Sequence, residues 1–130
     1  MLDLHPDSGV PLYLQVDDAL REAIEPTFNR VTIDGETSTS DTVTILANGR
    51  AGNRPLGPRS AGALELRGAL ADVCAELSEK LIADAEGVSR MGEIVVTGAR
   101  TNSQAEQLAR KVANSILVKT ALFGADPNWG

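Results

Sequence analysis

The chain has 130 residues, enough for one domain with a core but short for a self-contained two-substrate enzyme. Its 12 Lys and Arg against 18 Asp and Glu give a formal charge of -6, and the cations are scattered rather than gathered into a stripe, which argues against nucleic acid as a partner. No apolar run approaches the roughly 18 residues a membrane span needs, and the opening residues lack a basic-then-apolar signal, so no membrane contact and a soluble, cytoplasmic protein are expected.

Residues 1–11, with Pro6, Ser8, Gly9 and Pro11, read as an irregular leader, and residues 12–130 as a single partial domain. Leu12, Val16, Leu20 and Ile24 recur every four residues with Asp17, Asp18, Arg21 and Glu22 between them, the pattern of an amphipathic helix. Residues 30–34 and 42–46 alternate through Val31 and Ile33, then Val43 and Ile45, and predict two strands. Between them lies a polar loop dense in hydroxyls and carboxylates, including Thr37, Ser38, Thr39 and Asp41. Asn48-Gly49 is a turn signal, and residues 50–62, rich in Gly and Pro, read as a surface loop.

Leu66, Leu70, Val73, Leu77 and Leu81, spaced four, three, four and four apart, predict a long helix that stops near Glu86-Gly87. Residues 93–97, centred on Ile94-Val95-Val96, predict a buried strand broken by Gly98. Ser103 with Glu106 three residues later forms a capping-box pattern, which would open a helix with Ala105, Leu108, Ala109, Val112 and Ala113 on its apolar face. Residues 114–130 hold an apolar stretch through Phe123 and a turn-rich end, and receive no element. The order helix, strand, strand, helix, strand, helix predicts an α/β (α+β) layered fold. With aromatics at 3%, its core must be built from Ala, Leu, Val and Ile, and stability alone is expected to be marginal.

The chemistry available to the residues is narrow. His5, the sole histidine, sits in the leader, which leaves Ser-His-Asp and Cys-His schemes without an anchored base. Cys74, the sole cysteine, falls in the leucine-rich helical pattern and reads as a buried thiol. Asp34, Glu36, Asp41, Asp84 and Glu86 offer oxygen ligands, but the calcium-loop spacing is missing and a solvated acidic loop is expected instead of a metal site. Gly49-Arg50-Ala51-Gly52 opens no predicted helix and no Lys-Ser or Lys-Thr follows it, so it is not a phosphate loop. Thr37, Ser38, Thr39 and Ser40 serve either local backbone bonding or substrate contact. Pro127 and Trp129 either lock a turn or line a pocket.

Three separated segments carry a resemblance when taken together. The first is Phe28-Asn29-Arg30-Val31-Thr32-Ile33-Asp34-Gly35-Glu36-Thr37-Ser38-Thr39-Ser40-Asp41-Thr42-Val43, running on to Leu46-Ala47-Asn48-Gly49. The second is Asp84-Ala85-Glu86-Gly87-Val88-Ser89-Arg90, and the third is Asn114-Ser115-Ile116-Leu117-Val118-Lys119-Thr120-Ala121 with Phe123-Gly124-Ala125-Asp126-Pro127-Asn128-Trp129-Gly130. In this order and spacing they closely resemble the middle of the nucleophile-bearing chain of the ornithine acetyltransferase / glutamate N-acetyltransferase family, the N-terminal-nucleophile acyltransferases of arginine biosynthesis. The resemblance covers residues 16–130.

That resemblance implies stacked sheets between helical layers, and a chain that cuts itself before a threonine that becomes the nucleophile. It also implies ping-pong transfer of acetyl from N-acetylornithine to glutamate through a threonine acyl-enzyme, with no metal or cofactor. No Ala-Thr dipeptide occurs in the sequence, so the nucleophile is expected to be absent and the chain inactive alone. Of the family's substrate-binding positions, one maps here: Glu86, whose implied role is to bind the amino end of the substrate. Ala85, Val88, Arg90 and Ile116 depart from the family's usual Gly, Ala, Lys and Pro, and Ala85 would be strained if its backbone needs positive φ. The chain therefore reads as a fragment or truncated homologue that self-associates or pairs with a complementary chain. The alternatives are a non-catalytic interaction domain and a subunit completed by a partner.

Overall fold

The computed structural model describes residues 12–48, 50–53 and 56–127. The leader with His5, the second residue of the Asn48-Gly49 turn, and Trp129 lie outside them. The described residues form four α-helices: α1 (Leu12–Ile24), α2 (Ala61–Ala83), α3 (Asn102–Ala113) and α4 (Ile116–Gly124), with one 3₁₀ turn at Phe28–Arg30. They divide into two compact units. The first joins the described residues up to Asn29 with Thr39–Ser78, and the second joins Arg30–Ser38 with those from Glu79 onward.

In the first unit, α1 turns Ala19 and Ala23, each 2% exposed, inward and half-buries Val16, Leu20 and Ile24 around them. Pro26, which has no N–H to give, follows its last turn, and the Thr27 hydroxyl donates to the Ala23 carbonyl at 2.6 Å, satisfying one of the orphaned acceptors there. On the outer face Arg21 Nε donates to Asp17 at 2.7 Å, and this hydrogen bond holds the guanidinium pKa above its ordinary value. Arg67 of α2 pairs with Glu22 of α1. Ser60 starts α2, its hydroxyl accepting from the Ala63 amide at 3.3 Å.

The burial on α2 meets the sequence expectation at Cys74 and differs from it along the apolar stripe. Ala63, Cys74 and Ser78 are buried, whereas Val73, Leu77 and Leu81 are 51, 50 and 54% exposed. The helix turns its small residues inward, half-buries Leu66 and Leu70, and leaves the C-terminal half of its apolar stripe outside, where those side chains meet no surface large enough to cover them. No large side chain among the described residues is fully buried.

In the second unit α3 and α4 pack on each other. Thr101, not Ser103, caps α3: its extended backbone and its side chain, which accepts from the Gln104 amide at 3.2 Å, place the start two residues earlier. Thr101-x-x-Gln104 fits the capping-box spacing as well as Ser103-x-x-Glu106 does, and Glu106 instead pairs with Arg110 one turn on, at 2.9 Å. Thr101→Ala should lower stability by about 1 kcal/mol, whereas Ser103→Ala should be near neutral; urea melts of the two variants distinguish the caps.

Helix α4 fills a stretch in which no element was expected. Ser115 caps it, accepting from the Val118 amide at 3.5 Å. It ends in a Schellman motif: Asp126 N–H donates to Ala121 O at 2.9 Å and Ala125 N–H to Leu122 O at 3.3 Å, with Ala125 in the left-handed region at φ 53°. Left-handed backbone costs a Cβ-bearing residue about 1–2 kcal/mol, and glycine's greater chain entropy returns about half of that. Ala125→Gly should therefore stabilise the chain by up to about 1 kcal/mol, seen as a higher melting temperature. Ala85, by contrast, does not have positive φ, so the strain anticipated there is absent.

The expected α/β layering is not found among the described residues. Residues 31–34, 42–46 and 93–97 run without helix or strand, and no ladder of backbone hydrogen bonds pairs them. A strand exists only when a neighbour takes its N–H and C=O groups, and none of the apolar side chains that predicted strands is fully buried: Val31, Ile45 and Val96 are half-buried, while Ile33 is 53% and Val95 69% exposed. No helix among the described residues is long and apolar enough to cross a membrane.

Candidate functional site

Glu86 stands in the turn that leaves α2. The last turn of the helix closes with Asp84 N–H on Lys80 O at 3.0 Å and Ala85 N–H on Ile82 O at 3.2 Å, and Val88 N–H then returns to Ala85 O at 3.1 Å. Gly87 takes φ 75° as the third residue of that last turn, the position where a type II turn demands a left-handed residue. Glu86 precedes it at the tip, exposed, and its carboxylate forms no hydrogen bond or ion pair among the described residues. The acidic-Gly motif thus has a backbone reason for its glycine, and the turn presents a carboxylate to solvent.

Residues after the turn are held to the end of α4. Arg90 Nη1 donates to Leu122 O at 2.8 Å and Phe123 O at 2.6 Å, two carbonyls of the last helical turn. A Cβ on Gly92 would lie 3.2 Å from Leu122 Cδ2, so the chain there approaches α4 closely. At the other end of α4, Asn114 accepts from the Thr32 hydroxyl at 2.5 Å and Lys119 Nζ donates to Ile33 O, fixing the segment before the hydroxyl-rich loop. Gly35, at φ 88°, passes so near Asn114 that a Cβ would sit 3.3 Å from its Nδ2. Asp34 Oδ1 then accepts from the Glu36 amide at 2.8 Å, a local turn that leads into Thr37.

Thr37, Ser38, Thr39 and Asp41 are all exposed. Thr37 and Ser38 belong to the same compact unit as Glu86, with no hydrogen bond or ion pair joining them to it, while Thr39 and Asp41 belong to the first unit. An open groove of about 460 Å³ runs along α3, lined by Gly98, Arg100, Gln104, Leu108 and Lys111, and contains none of these residues. Its charges are cationic, unsuited to an ammonium group. Among the described residues no three His, Cys, Asp or Glu side chains gather closely enough to hold a metal ion. Sequence reasoning registered Arg90 only as a departure from a pattern; Asn114 and Lys119 were quoted without a role, since their partners lie 82 and 86 residues away.

Comparison with known proteins resolves the class. The model of the ArgJ family matches residues 12–130. The arginine biosynthesis bifunctional protein ArgJ of Desulfotalea psychrophila is 51% identical over 116 residues, covering 89% of this chain and 30% of that protein. A glutamate N-acetyltransferase of Methanocaldococcus jannaschii is 44% identical over 111 residues, covering 85% and 27%. The crystal structure of arginine biosynthesis bifunctional protein ArgJ from Bacillus halodurans superposes with a TM-score of 0.85 at 36% identity, over 99% of this chain and 57% of that one. The chain belongs to the ArgJ family. It spans about a third or less of the length of these two curated relatives, 30% and 27%.

Proposed function

We propose that the chain supplies the amine-binding wall of an acyl-transfer site that moves acetyl from N-acetylornithine to glutamate. The observation that carries this reading is Glu86, an unengaged carboxylate held at the tip of a glycine-dependent turn in a chain of this family. An ammonium facing Glu86 neutralises it and orients the substrate, and the hydroxyls of Thr37 and Ser38, in the same compact unit, supply further polar contacts. The threonine that attacks the acetyl group comes from a segment outside this sequence, in which no Ala-Thr pair occurs. Its hydroxyl forms the ester as ornithine leaves with the proton, and the amine of glutamate then takes the acetyl group and restores the hydroxyl. Neither step calls for a metal or cofactor, and a cytoplasmic setting suits both substrates.

In this reading residues 12–130 are one part of a larger stacked-sheet domain, and residues 30–34, 42–46 and 93–97 become strands once a complementary polypeptide supplies ladder partners. The exposed Val73, Leu77 and Leu81 favour completion by another chain over activity in isolation. An exposed carboxylate–ammonium pair contributes about 1 kcal/mol or less, whereas one desolvated by a covering chain contributes several times more. Titration calorimetry should therefore show N-acetylornithine binding when the chain is mixed with an ArgJ relative from which the matching segment is deleted, and no measurable heat with either alone. Equal binding by the deleted relative alone would refute the assignment.

A further inference from the structure

We propose that Arg90 is the positioning residue of the Glu86 turn: by closing the C-terminal carbonyls of α4 it ties that turn to the helix, so that the two order as one unit. The inference rests on the reading of Glu86 as a substrate-binding residue for its functional meaning, but not for its structural content. Two independent observations carry it. One is the pair of bonds from Arg90 Nη1 to Leu122 O and Phe123 O, at 2.8 and 2.6 Å. The other is the close approach of Gly92 to Leu122, where a Cβ would fall at 3.2 Å.

The chemistry explains why a cation is needed there. The Schellman motif satisfies Ala121 O and Leu122 O through the amides of Asp126 and Ala125, and Phe123 O receives no backbone donor among the described residues. Arg90 supplies that donor, shares Leu122 O, and places its positive charge at the negative end of the helix dipole. Between Arg90 and the tip of the turn lie three residues, and the Val88 amide is already committed to Ala85 O. With Arg90 fixed at one end and α2 at the other, Glu86 has a narrow range of positions. Arg90 touches no reacting group, and it acts through Glu86.

Residue-resolved amide exchange on the full chain tests this. In Arg90→Met, protection should fall about tenfold at Val88, Ala125 and Asp126 together, with α1 and the first turns of α2 unchanged as the control for folding. Arg90→Lys, which keeps the charge and the donors, should recover most of it. In the complemented mixture the same order, Arg90→Met below Arg90→Lys below wild type, should hold for N-acetylornithine affinity. Loss of protection at Ala125 and Asp126 with Val88 untouched would overturn the coupling, because Arg90 would then be a helix cap and nothing more. Failure of Arg90→Lys to recover protection would overturn the role of the cation. If the wild-type mixture binds no N-acetylornithine while the exchange pattern holds, the substrate assignment of Glu86 falls and the latch stands.

Discussion

Leu77→Asp should abolish concentration-dependent association of the chain, as followed by light scattering or sedimentation equilibrium. Val73, Leu77 and Leu81 lie on one stripe of α2 and are each at least half exposed. Burying a leucine or valine fully is worth about 1.5–3 kcal/mol, so covering three half-exposed side chains recovers roughly 2–4 kcal/mol. That gain is large beside the core seen among the described residues, where the buried apolar side chains are Ala19, Ala23, Ala63, Cys74 and Ala121. A carboxylate in the middle of the stripe would have to be desolvated on association, which reverses the balance. Glu79→Lys, on the same helix but outside the stripe, should leave association unchanged. A wild-type chain that stays monomeric at high concentration would show that the stripe does not drive assembly.

Glu86→Gln should weaken N-acetylornithine binding by the complemented protein about 100-fold. The substitution keeps shape and hydrogen-bonding capacity while removing the charge, so it isolates the electrostatic part of the contact. Removing one partner of a desolvated, hydrogen-bonded ion pair costs about 3 kcal/mol, equivalent to that factor. Glu86 lies in an exposed turn and makes no contact that supports the fold, so the melting temperature of the isolated chain should not move. A tenfold or smaller effect would mean that the carboxylate stays in water when the site is assembled.

The helices were legible where their apolar residues occupy one face. The spacing of Leu12, Val16, Leu20 and Ile24 marked α1, and that of Leu66 to Leu81 marked α2, because periodicity reports a local conformation that each helix forms within itself. Periodicity did not reveal α4, whose Ile116, Leu117, Val118, Leu122 and Phe123 surround the axis and leave no polar face to contrast with. The signal that could have found it was Ser115, a capping residue directly before an apolar run. On α2 the pattern gave the helix but not its orientation, since leucine spacing says which residues share a face and not whether anything covers it. The strand expectations failed for a different reason. Alternation such as Val31-Thr32-Ile33 states that a segment can pair, whereas pairing depends on a partner elsewhere, and none is present among the described residues.

The candidate site was legible in its chemistry and not in its supports. Glu86 was singled out by the family resemblance, while Gly87 marked the end of α2, and its left-handed turn position is a requirement local to four residues. Arg90 reaching Leu122 and Phe123, and Lys119 reaching Ile33, span 32 to 86 residues of sequence and follow from how the chain folds back, which no spacing encodes.

Acetyl transfer from N-acetylornithine to isotopically labelled glutamate tests most directly whether this chain carries an essential wall of an incomplete acyl-transfer site. The chain alone should give no labelled N-acetylglutamate. Mixed with an ArgJ relative from which the matching segment is deleted, it should restore transfer, and the Glu86→Gln chain should restore about one hundredth of that rate at low substrate. Transfer by the chain alone, or full restoration by the Glu86→Gln chain, would contradict this account.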